Sequence, residues 1–390
     1  MLITTAQRRA RLVERHYLTG SAPDVETAVA GVVALHSSDP ISPYLSVGAR
    51  VAGFTVADLD RALFADRTLW RLHAMRRTLF VVPAGQAAMF DVAAGRAIAE
   101  RERTRLVKWL RADLSGRAAA SLLDDAEAAV IEELAGQGEL RTAELSERVP
   151  ALQQTLTVGS GTWTSETPLS SRLLYVMAME GTIVRTRPAG SWRSSQYHWA
   201  LASDWFGGLP EPPADGAAAL AQRYLERFGP ATEHDLRWWA GWGAGATRAA
   251  LAAAGAVAVE LDDGVEAFVA PDDATSPGGV EGDTVAFLPG LDPTPMGWKQ
   301  RHWYLDDELV PDVFDRNGNV GPTVWWNGRI VGGWGQRPSG VVAFEILTEV
   351  PRHVASLVEA RAEELTGWFG GEHVTPRFRT PLERRLSALD

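Results

Sequence analysis

The chain has 390 residues, 46% of them apolar, which is enough for two to four domains that each bury a core. The complete absence of cysteine excludes disulfides, thiolate nucleophiles and cysteine-ligated zinc. The net charge of −11 argues against indiscriminate binding of polyanions. Because none of the eight histidines falls at a metal-ligand spacing, we expect no metal and no other cofactor.

The charge is distributed unevenly along the chain. Residues 1–117 carry 17 Lys+Arg and 11 Asp+Glu, a balance of +6, so the rest of the chain has a balance of −17. A basic N-terminal part on an acidic body indicates a localised anion-binding face. The alternative is that these arginines pair with acidic residues on solvated helices.

Several familiar signals are missing from the sequence. The first residues are charged where a signal peptide needs an apolar stretch, and no later run is long and apolar enough to cross a membrane. We therefore expect a cytoplasmic protein without membrane contacts. The phosphate-binding loop of nucleotide hydrolases and the Gly-x-Ser-x-Gly elbow of acyl hydrolases are also absent.

Apolar periodicity predicts the elements of the N-terminal third. Helices are predicted at 5–18, 24–36, 42–51 and 55–65, strands near 69–73 and 78–82, and a long helix at about 84–113. Helices followed by a β-hairpin are typical of the winged-helix variant of the helix-turn-helix.

The middle of the chain repeats one order of elements. A helical run, a Gly-rich break and a short second helix occupy residues 125–149, and the same order returns at 217–241. The short helices are expected to be capped by Thr142 and Thr232. A third helix and two strands follow each copy, and Thr167 before Pro168 predicts the start of the first of these helices.

We therefore predict an α+β protein of tandem winged-helix domains with a small β-rich C-terminal domain. The predicted divisions are an N-terminal winged-helix-like domain at 1–117, winged-helix domains at 118–210 and 211–275, and a C-terminal domain at 276–390 with a closing helix at about 353–369.

A dense polar cluster interrupts an apolar stretch at residues 32–51, "VVALHSSDPISPYLSVGARV". Steps of four, three and four from Val25 place His36 on the apolar stripe of the predicted helix. One interpretation is structural, with His36 near the last helical carbonyls and Ser38 and Asp39 capping the next helix. The other is that the cluster performs chemistry.

Four segments of the chain resemble the winged-helix DNA glycosylases of the AlkZ and YcaQ type. They are "ALHSSDPISPYL", "HAMRRTLFVVP", "LPGLDPTPMGWKQR" and "VTPRFRTPLERRL". The resemblance implies tandem winged-helix domains, binding of damaged double-stranded DNA and hydrolysis of an N-glycosidic bond.

In that family the first segment typically has Leu-Gln-x-Gln or Leu-Gln-x-Asp, and its two polar positions are catalytic. The resemblance carries these roles to His36 and Ser38, although both glutamines are replaced and the aspartate, Asp39, comes one residue late. The segment that the family often has as Arg-Gly-Thr-Leu-His also differs, with Arg77 for the glycine and Phe80 for the histidine.

The chemistry of base removal suggests how these substitutes would act. The sugar acquires oxocarbenium character, so the site must stabilise positive charge and place a water opposite the base. A neutral His36 would hold the water and accept its proton, Ser38 would orient the water, and Asp39 would supply negative charge. Activity should then fall as the pH drops through the imidazole pKa, roughly 6.5 if unperturbed.

The leaving group favours one class of lesion. A purine alkylated on a ring nitrogen already carries positive charge and departs readily, so a water-positioning pair suffices. We therefore expect a cationic or bulky alkylated base as the substrate.

Further residues are predicted to contact DNA. Arg76 and Arg77, and Lys299 with Arg301, are candidate phosphate contacts, with surface ion pairs as the alternative. Trp163, in the loop "TVGSGTWTSETP", would stack on or wedge into the duplex, unless it packs at a domain interface.

A second function stays open at this point, namely a non-catalytic winged-helix DNA-binding protein that serves as a regulator or lesion sensor. In it the cluster at 36–39 would only end one helix and begin the next. Several tandem winged helices in one chain differ from the usual regulator, which dimerises to bind a palindrome, so we expect a monomer and favour the glycosylase.

Overall fold

The computed structural model describes residues 1–160, 163–273 and 282–388. The chain divides into two compact units. The first comprises Met1–Leu69, Val81–Pro83 and Ala217–Asp390, and the second comprises Trp70–Phe80 and Ala84–Gly216.

The helices of the described residues are α1 Thr5–Arg15, α2 Val25–Gly31, α3 Ser42–Gly48, α4 Val56–Asp60, α5 Ala87–Phe90, α6 Arg96–Asp113, α7 Gly116–Gln137, α8 Thr142–Arg148, α9 Ser170–Met179, α10 Ala202–Phe206, α11 Gly216–Phe228, α12 Glu233–Ala240, α13 Ala244–Ala253, α14 Val310–Val313, α15 Arg352–Phe369 and α16 Pro381–Ser387. The strands are β1 Leu2–Ile3, β2 Leu35–His36, β3 Leu69–His73, β4 Leu79–Pro83, β5 Leu140–Arg141, β6 Thr155–Ser160, β7 Trp163–Pro168, β8 Ile183–Pro188, β9 Tyr197–Leu201, β10 Val257–Leu261, β11 Glu266–Val269, β12 Val285–Leu288, β13 Thr323–Trp326, β14 Arg329–Gln336 and β15 Val342–Ile346. The predicted mixture of helices and strands is confirmed.

The first unit contains two sheets besides its helices. The antiparallel sheet β12-β13-β14-β15 contacts α15 and α16, and the small sheet β1-β10-β11 pairs the N-terminal strand with a hairpin near residue 260. Helix α16 approaches the larger sheet closely at Gly333, where a Cβ would lie 2.5 Å from the Leu382 side chain. Glycine is therefore required at that position.

The second unit has a continuous apolar core formed by α6, α7, α8 and α9 and the strands around them. Leu106, Leu123, Val130, Leu145 and Leu173 are among its fully buried members. The short strands β5, β9 and β8 form a three-stranded sheet in that order, and β6 pairs with β7 as a separate hairpin.

The predicted helix at 24–36 is wrong at its C-terminal end. Helix α2 ends at Gly31, and Val33 has a φ of 64°, which a continuing α-helix does not allow. The adjacent β-branched residues Val32 and Val33 have low helix propensity, and Gly31 packs against the ring of Tyr17. His36 consequently lies on strand β2 rather than on a helical stripe.

Two predicted caps also differ from the structure, whereas a third is confirmed. Thr142 is the first residue of α8, whose N-cap is Arg141, and Thr167 lies within strand β7. Thr232 caps α12 and accepts a hydrogen bond from the backbone N–H of Asp235.

Strand β3 is observed at Leu69–His73, which are the bounds predicted for it.

The long helix predicted at 84–113 is interrupted. It is observed as α5 and α6, joined through a π-helical segment at Asp91–Gly95.

Within the residues that the structure describes, no helix is both long enough and apolar enough to span a bilayer.

Candidate active site

The polar cluster at 36–39 begins at the last residue of strand β2 and precedes helix α3 in the first unit. Solvent exposure alternates along it, because His36 and Ser38 are half-buried, whereas Ser37 and Asp39 are each only 2% exposed. His36 and Ser38 therefore both keep some access to solvent, whereas the side chains of Ser37 and Asp39 do not.

Asp39 anchors the cluster to the C-terminal part of the chain. Its Oδ2 accepts a hydrogen bond from the backbone N–H of Arg377 at 2.9 Å, and its Oδ1 accepts one from Ile41 at 3.3 Å. The Arg377 guanidinium also donates to the carbonyl of Ser38 at 3.2 Å. Burial raises the pKa of Asp39, against the opposing effect of these N–H donors.

The expected capping of α3 by Ser38 and Asp39 is not observed. The N-cap of α3 is Ile41, without a side-chain cap, and Asp39 instead closes a turn ahead of the helix. The first helical residue, Ser42, donates its hydroxyl to the carbonyl of Gly290 at 2.7 Å. Residues 38–42 are thus tied both to the loop around residue 290 and to residue 377.

The loop around Gly290 is itself held by a buried ion pair. Both side chains of the pair are 0% exposed, and the Arg50 guanidinium donates to the two oxygens of Asp292 at 2.8 Å each. Burial alone would raise the pKa of Asp292, but the Arg50 charge holds it below its ordinary value. Arg50 also donates to Thr294 at 2.8 Å, which ties the loop further to the helix region of residues 42–50.

His16 completes this buried network and was not singled out from the sequence. Its Nδ1 lies 2.9 Å from the Thr294 hydroxyl and its Nε2 lies 3.2 Å from the carbonyl of Arg227. Burial, reinforced by the Arg50 charge, lowers the pKa of His16 to about 3. His16 is therefore neutral at physiological pH and serves to hold the loop in place.

Ser37 is a second residue that sequence reasoning missed. Its hydroxyl is buried and has no hydrogen-bond partner among the described residues. A buried hydroxyl in this state is able to bind a water or a ligand atom. The only indication in the sequence was that Ser37 stands between His36 and Ser38.

Arg76 and Arg77 form the tip of the β3–β4 hairpin in the second unit. Both residues have positive φ, 55° and 65°, and both side chains are exposed. The turn is closed by a hydrogen bond from the N–H of Ala74 to the carbonyl of Thr78 at 3.0 Å. The Arg77 guanidinium lies 3.2 Å from the Glu102 carboxylate, so part of its charge is already balanced.

Lys299 and Arg301 lie in the first unit and differ in environment. The backbone N–H of Lys299 donates a hydrogen bond to the Asp235 carboxylate at 2.9 Å. The side chain of Lys299 is exposed to solvent. The Arg301 guanidinium is half-buried and lies over the ring of Phe314 at 4.4 Å and that of Trp238 at 5.3 Å. The environment of Lys299 therefore fits a phosphate contact better than that of Arg301.

The side chain of Trp163 lies outside the described part of the chain, so its role in stacking stays a prediction.

Comparison with known proteins identifies the class of enzyme. A family model described as "DNA glycosylase AlkZ-like" matches residues 29–368. The protein is a DNA glycosylase, a hydrolase of N-glycosidic bonds in DNA. It belongs to the AlkZ-like family, as the resemblance in the sequence predicted, and this favours the enzyme over a non-catalytic binder.

The fold is similar to that of a solved structure, the DNA glycosylase AlkZ of Streptomyces sahachiroi. The two align with a TM-score of 0.71 and 20% sequence identity, over 94% of this chain and 98% of that one. The search of curated proteins by sequence gave no match.

Proposed function

We propose that this DNA glycosylase removes cationic or bulky alkylated bases from double-stranded DNA, with His36 and Ser38 at the positions of the family's catalytic pair. The alternating exposure of residues 36–39 is the observation that supports the proposal, because His36 and Ser38 keep access to solvent whereas Ser37 and Asp39 are buried. A neutral His36 accepts a proton from the attacking water, and Ser38 orients that water.

Asp39 acts in this proposal without touching the substrate. Both of its oxygens accept backbone N–H groups, and the side chain is 2% exposed. Its negative charge stabilises the sugar cation through the protein interior, where the low dielectric constant strengthens the interaction. A base with its own positive charge departs readily, so the site needs no strong general acid.

The proposal is tested by single-turnover kinetics with excess protein on a duplex that carries one N7-methylguanine. Native protein should form abasic product above the spontaneous rate, and His36→Ala and Ser38→Ala should lose that product while still binding the duplex. The matched controls are His353→Ala, a 65% exposed histidine, and Ser121→Ala, an exposed serine of α7, and both should retain full activity.

Two outcomes would contradict parts of the proposal. Full activity in both His36→Ala and Ser38→Ala would remove them from the mechanism. Product from a duplex with unmodified guanine at the same rate would show that the enzyme does not select the cationic lesion.

We further propose that the two repeats are winged-helix domains. The order α7-β5-α8-α9-β8-β9 with its three-stranded sheet, and the order α11-α12-α13-β10-β11, support this assignment. The four-domain division at residues 117, 210 and 275 stays a prediction. Limited proteolysis should cut first near residue 210, and light scattering should give the mass of a monomer.

A further inference from the structure

The exposed face of helix α6 is positively charged along its C-terminal half. The exposed residues between 101 and 112 are Arg101, Thr104, Arg105, Lys108, Arg111 and Ala112. At about 100° per residue they fall within an arc of about 120°, opposite the buried side chains of Leu106 and Leu110. We call this arc the basic face of α6. It presents four cations over about 15 Å, at about 1.5 Å per residue.

Most of these charges are not neutralised by acidic side chains. Three of the four cations form no ion pair within the part of the chain that the structure describes, namely Arg101, Lys108 and Arg111. Glu127 and Glu180, from neighbouring elements, both contact Arg103, which lies outside the arc. Glu100 is exposed at the edge of the arc, so the basic face keeps a positive balance.

The fourth cation connects the basic face to the turn at Met75–Arg77. Arg105 donates to the Glu102 carboxylate at 2.7 Å, and Arg77 lies 3.2 Å from the same oxygen. Glu102 is 8% exposed, so one buried carboxylate holds two exposed guanidinium groups. The turn and the basic face are therefore adjoining parts of one positively charged surface of the second unit.

The spacing of the cations suits an extended anion better than a compact one. Arg101 and Lys108 are about 10.5 Å apart along the helix axis, and Lys108 and Arg111 about 4.5 Å, so they do not converge on one small ligand. A groove of about 440 Å³ lies along the same face, and Lys108 and Arg111 line it. Duplex DNA carries one charge per about 1.7 Å of its axis, so one duplex offers phosphates to a row of this length.

A membrane surface fits the basic face less well. Helices that lie on membranes combine their cations with large apolar side chains that enter the lipid. Apart from its cations, the arc contains only Thr104 and Ala112. The large apolar residues of this part of α6, such as Leu106 and Leu110, are buried in the core of the second unit.

We propose that the basic face of α6 is a contact for the phosphate backbone of double-stranded DNA and extends the contact predicted for Arg76 and Arg77. Phosphate contacts position a duplex without reading its sequence, so this surface acts on damaged and undamaged DNA alike. The inference rests on the proposed binding of double-stranded DNA. It assigns to particular residues the localised anion-binding face that the charge distribution predicts.

The lysine content of the chain allows a direct test. Lys108 and Lys299 are its only lysines, so acetylation by N-hydroxysuccinimidyl acetate, followed by mass spectrometry of the full-length protein's peptides, reports on both. Saturating undamaged duplex should slow the acetylation of Lys108 severalfold, because a bound phosphate covers its ammonium group. High salt that releases the duplex should restore the original rate.

A double variant measures the contribution of the face to affinity. Lys108→Gln with Arg111→Gln removes two cations and keeps the helix propensity of α6. Fluorescence anisotropy should show the slope of log affinity against log salt reduced by about 1.8, since each phosphate contact contributes about 0.9. The matched control, Arg316→Gln with Arg352→Gln, removes two exposed cations of the first unit and should leave the slope unchanged.

Two results would overturn this contact alone. They are unchanged acetylation of Lys108 in protein that is saturated with duplex, and equal slopes in the two double variants. If Lys108→Gln with Arg111→Gln lost binding to phosphatidylserine vesicles but bound duplex as the native protein does, the basic face would belong to a membrane surface instead. Native protein that binds no duplex would contradict the proposed double-stranded substrate together with this contact, so the two failures are distinguishable.

Discussion

The polar cluster at 36–39 and the arginine turn at Met75–Arg77 are held to different degrees by long-range contacts. Asp39 of the cluster and Ser42 just after it form hydrogen bonds to Arg377 and Gly290, hundreds of residues away along the chain. The turn is closed mainly by local backbone hydrogen bonds, with one further bond from the Tyr175 hydroxyl to the carbonyl of Arg77 at 3.1 Å, and it projects two exposed arginines. The difference fits the proposed roles, because groups that perform chemistry need a fixed position, whereas groups that meet a flexible phosphate backbone need mainly charge and reach.

The largest expected effect comes from removing the support of the cluster. Asp292→Ala leaves the Arg50 charge buried and unpaired, so the free energy of unfolding should fall by about 3–5 kcal/mol. Urea denaturation measures this change. Glycosylase activity should fall as well, because the loop that carries the Ser42 contact loses its anchor.

An exposed acid provides the control for that variant. Asp66 lies 4.0 Å from Arg61 and both side chains are more than half exposed. Asp66→Ala should change the free energy of unfolding by less than about 1 kcal/mol. Equal losses in the two variants would contradict a special role for the buried pair.

The next effect concerns the charge of the cluster. Asp39→Asn removes the negative charge and also one of the two acceptor oxygens, because its amide NH2 group then faces a backbone N–H. We expect the single-turnover rate to fall roughly 10- to 100-fold, below the loss typical of a group in direct contact with the transition state. A variant as active as the native enzyme would leave Asp39 with its anchoring role alone.

The pH dependence separates His36 from Asp39. In the proposed mechanism the reaction needs neutral His36 and ionised Asp39, so activity falls toward low pH as each group takes up a proton. His36→Gln, which installs the residue common in the family, removes the proton uptake by His36, and the remaining fall should follow the pKa of Asp39, which burial raises.

A rate profile unchanged between the native enzyme and His36→Gln would exclude proton uptake by His36 as the cause. In the complementary variant Asp39→Asn, the part of the fall that proton uptake by His36 causes should remain. The two variants together assign each step of the profile to one residue.

The smallest effect is expected at the arginine turn. Arg76→Gln and Arg77→Gln should each reduce the slope of log affinity against log salt by about 1 and weaken binding to all duplexes alike. Fluorescence anisotropy with a duplex measures both. The single-turnover rate at saturating protein should not change, and Arg316→Gln, on a turn of the first unit, is the matched control.

The sequence predicted local structure better than it predicted the support of the site. The bounds predicted for β3 match the structure, and Thr232 was enough to locate the start of α12. His36 was assigned to a helix because the apolar spacing from Val25 continued past the point where Val33 turns away. Local spacing contains no information on that change of direction.

The contacts that hold the cluster could not be predicted at all. Ser42 and Gly290 are separated by 248 residues, and Asp39 and Arg377 by 338. Such pairs become neighbours only through the packing of the whole first unit, and one sequence shows no covariation that would reveal them. Likewise, nothing in the segment around His16 distinguishes a buried histidine from an exposed one.

These long-range anchors also bear on the synthesis of the protein. Asp39 leaves the ribosome 338 residues before Arg377, whose backbone fixes it. A growing chain thus carries His36 and Ser38 without the contacts that position them until residue 377 has been made. Truncated translation products are therefore expected to bind DNA through whatever basic surface has folded and to cut no glycosidic bonds.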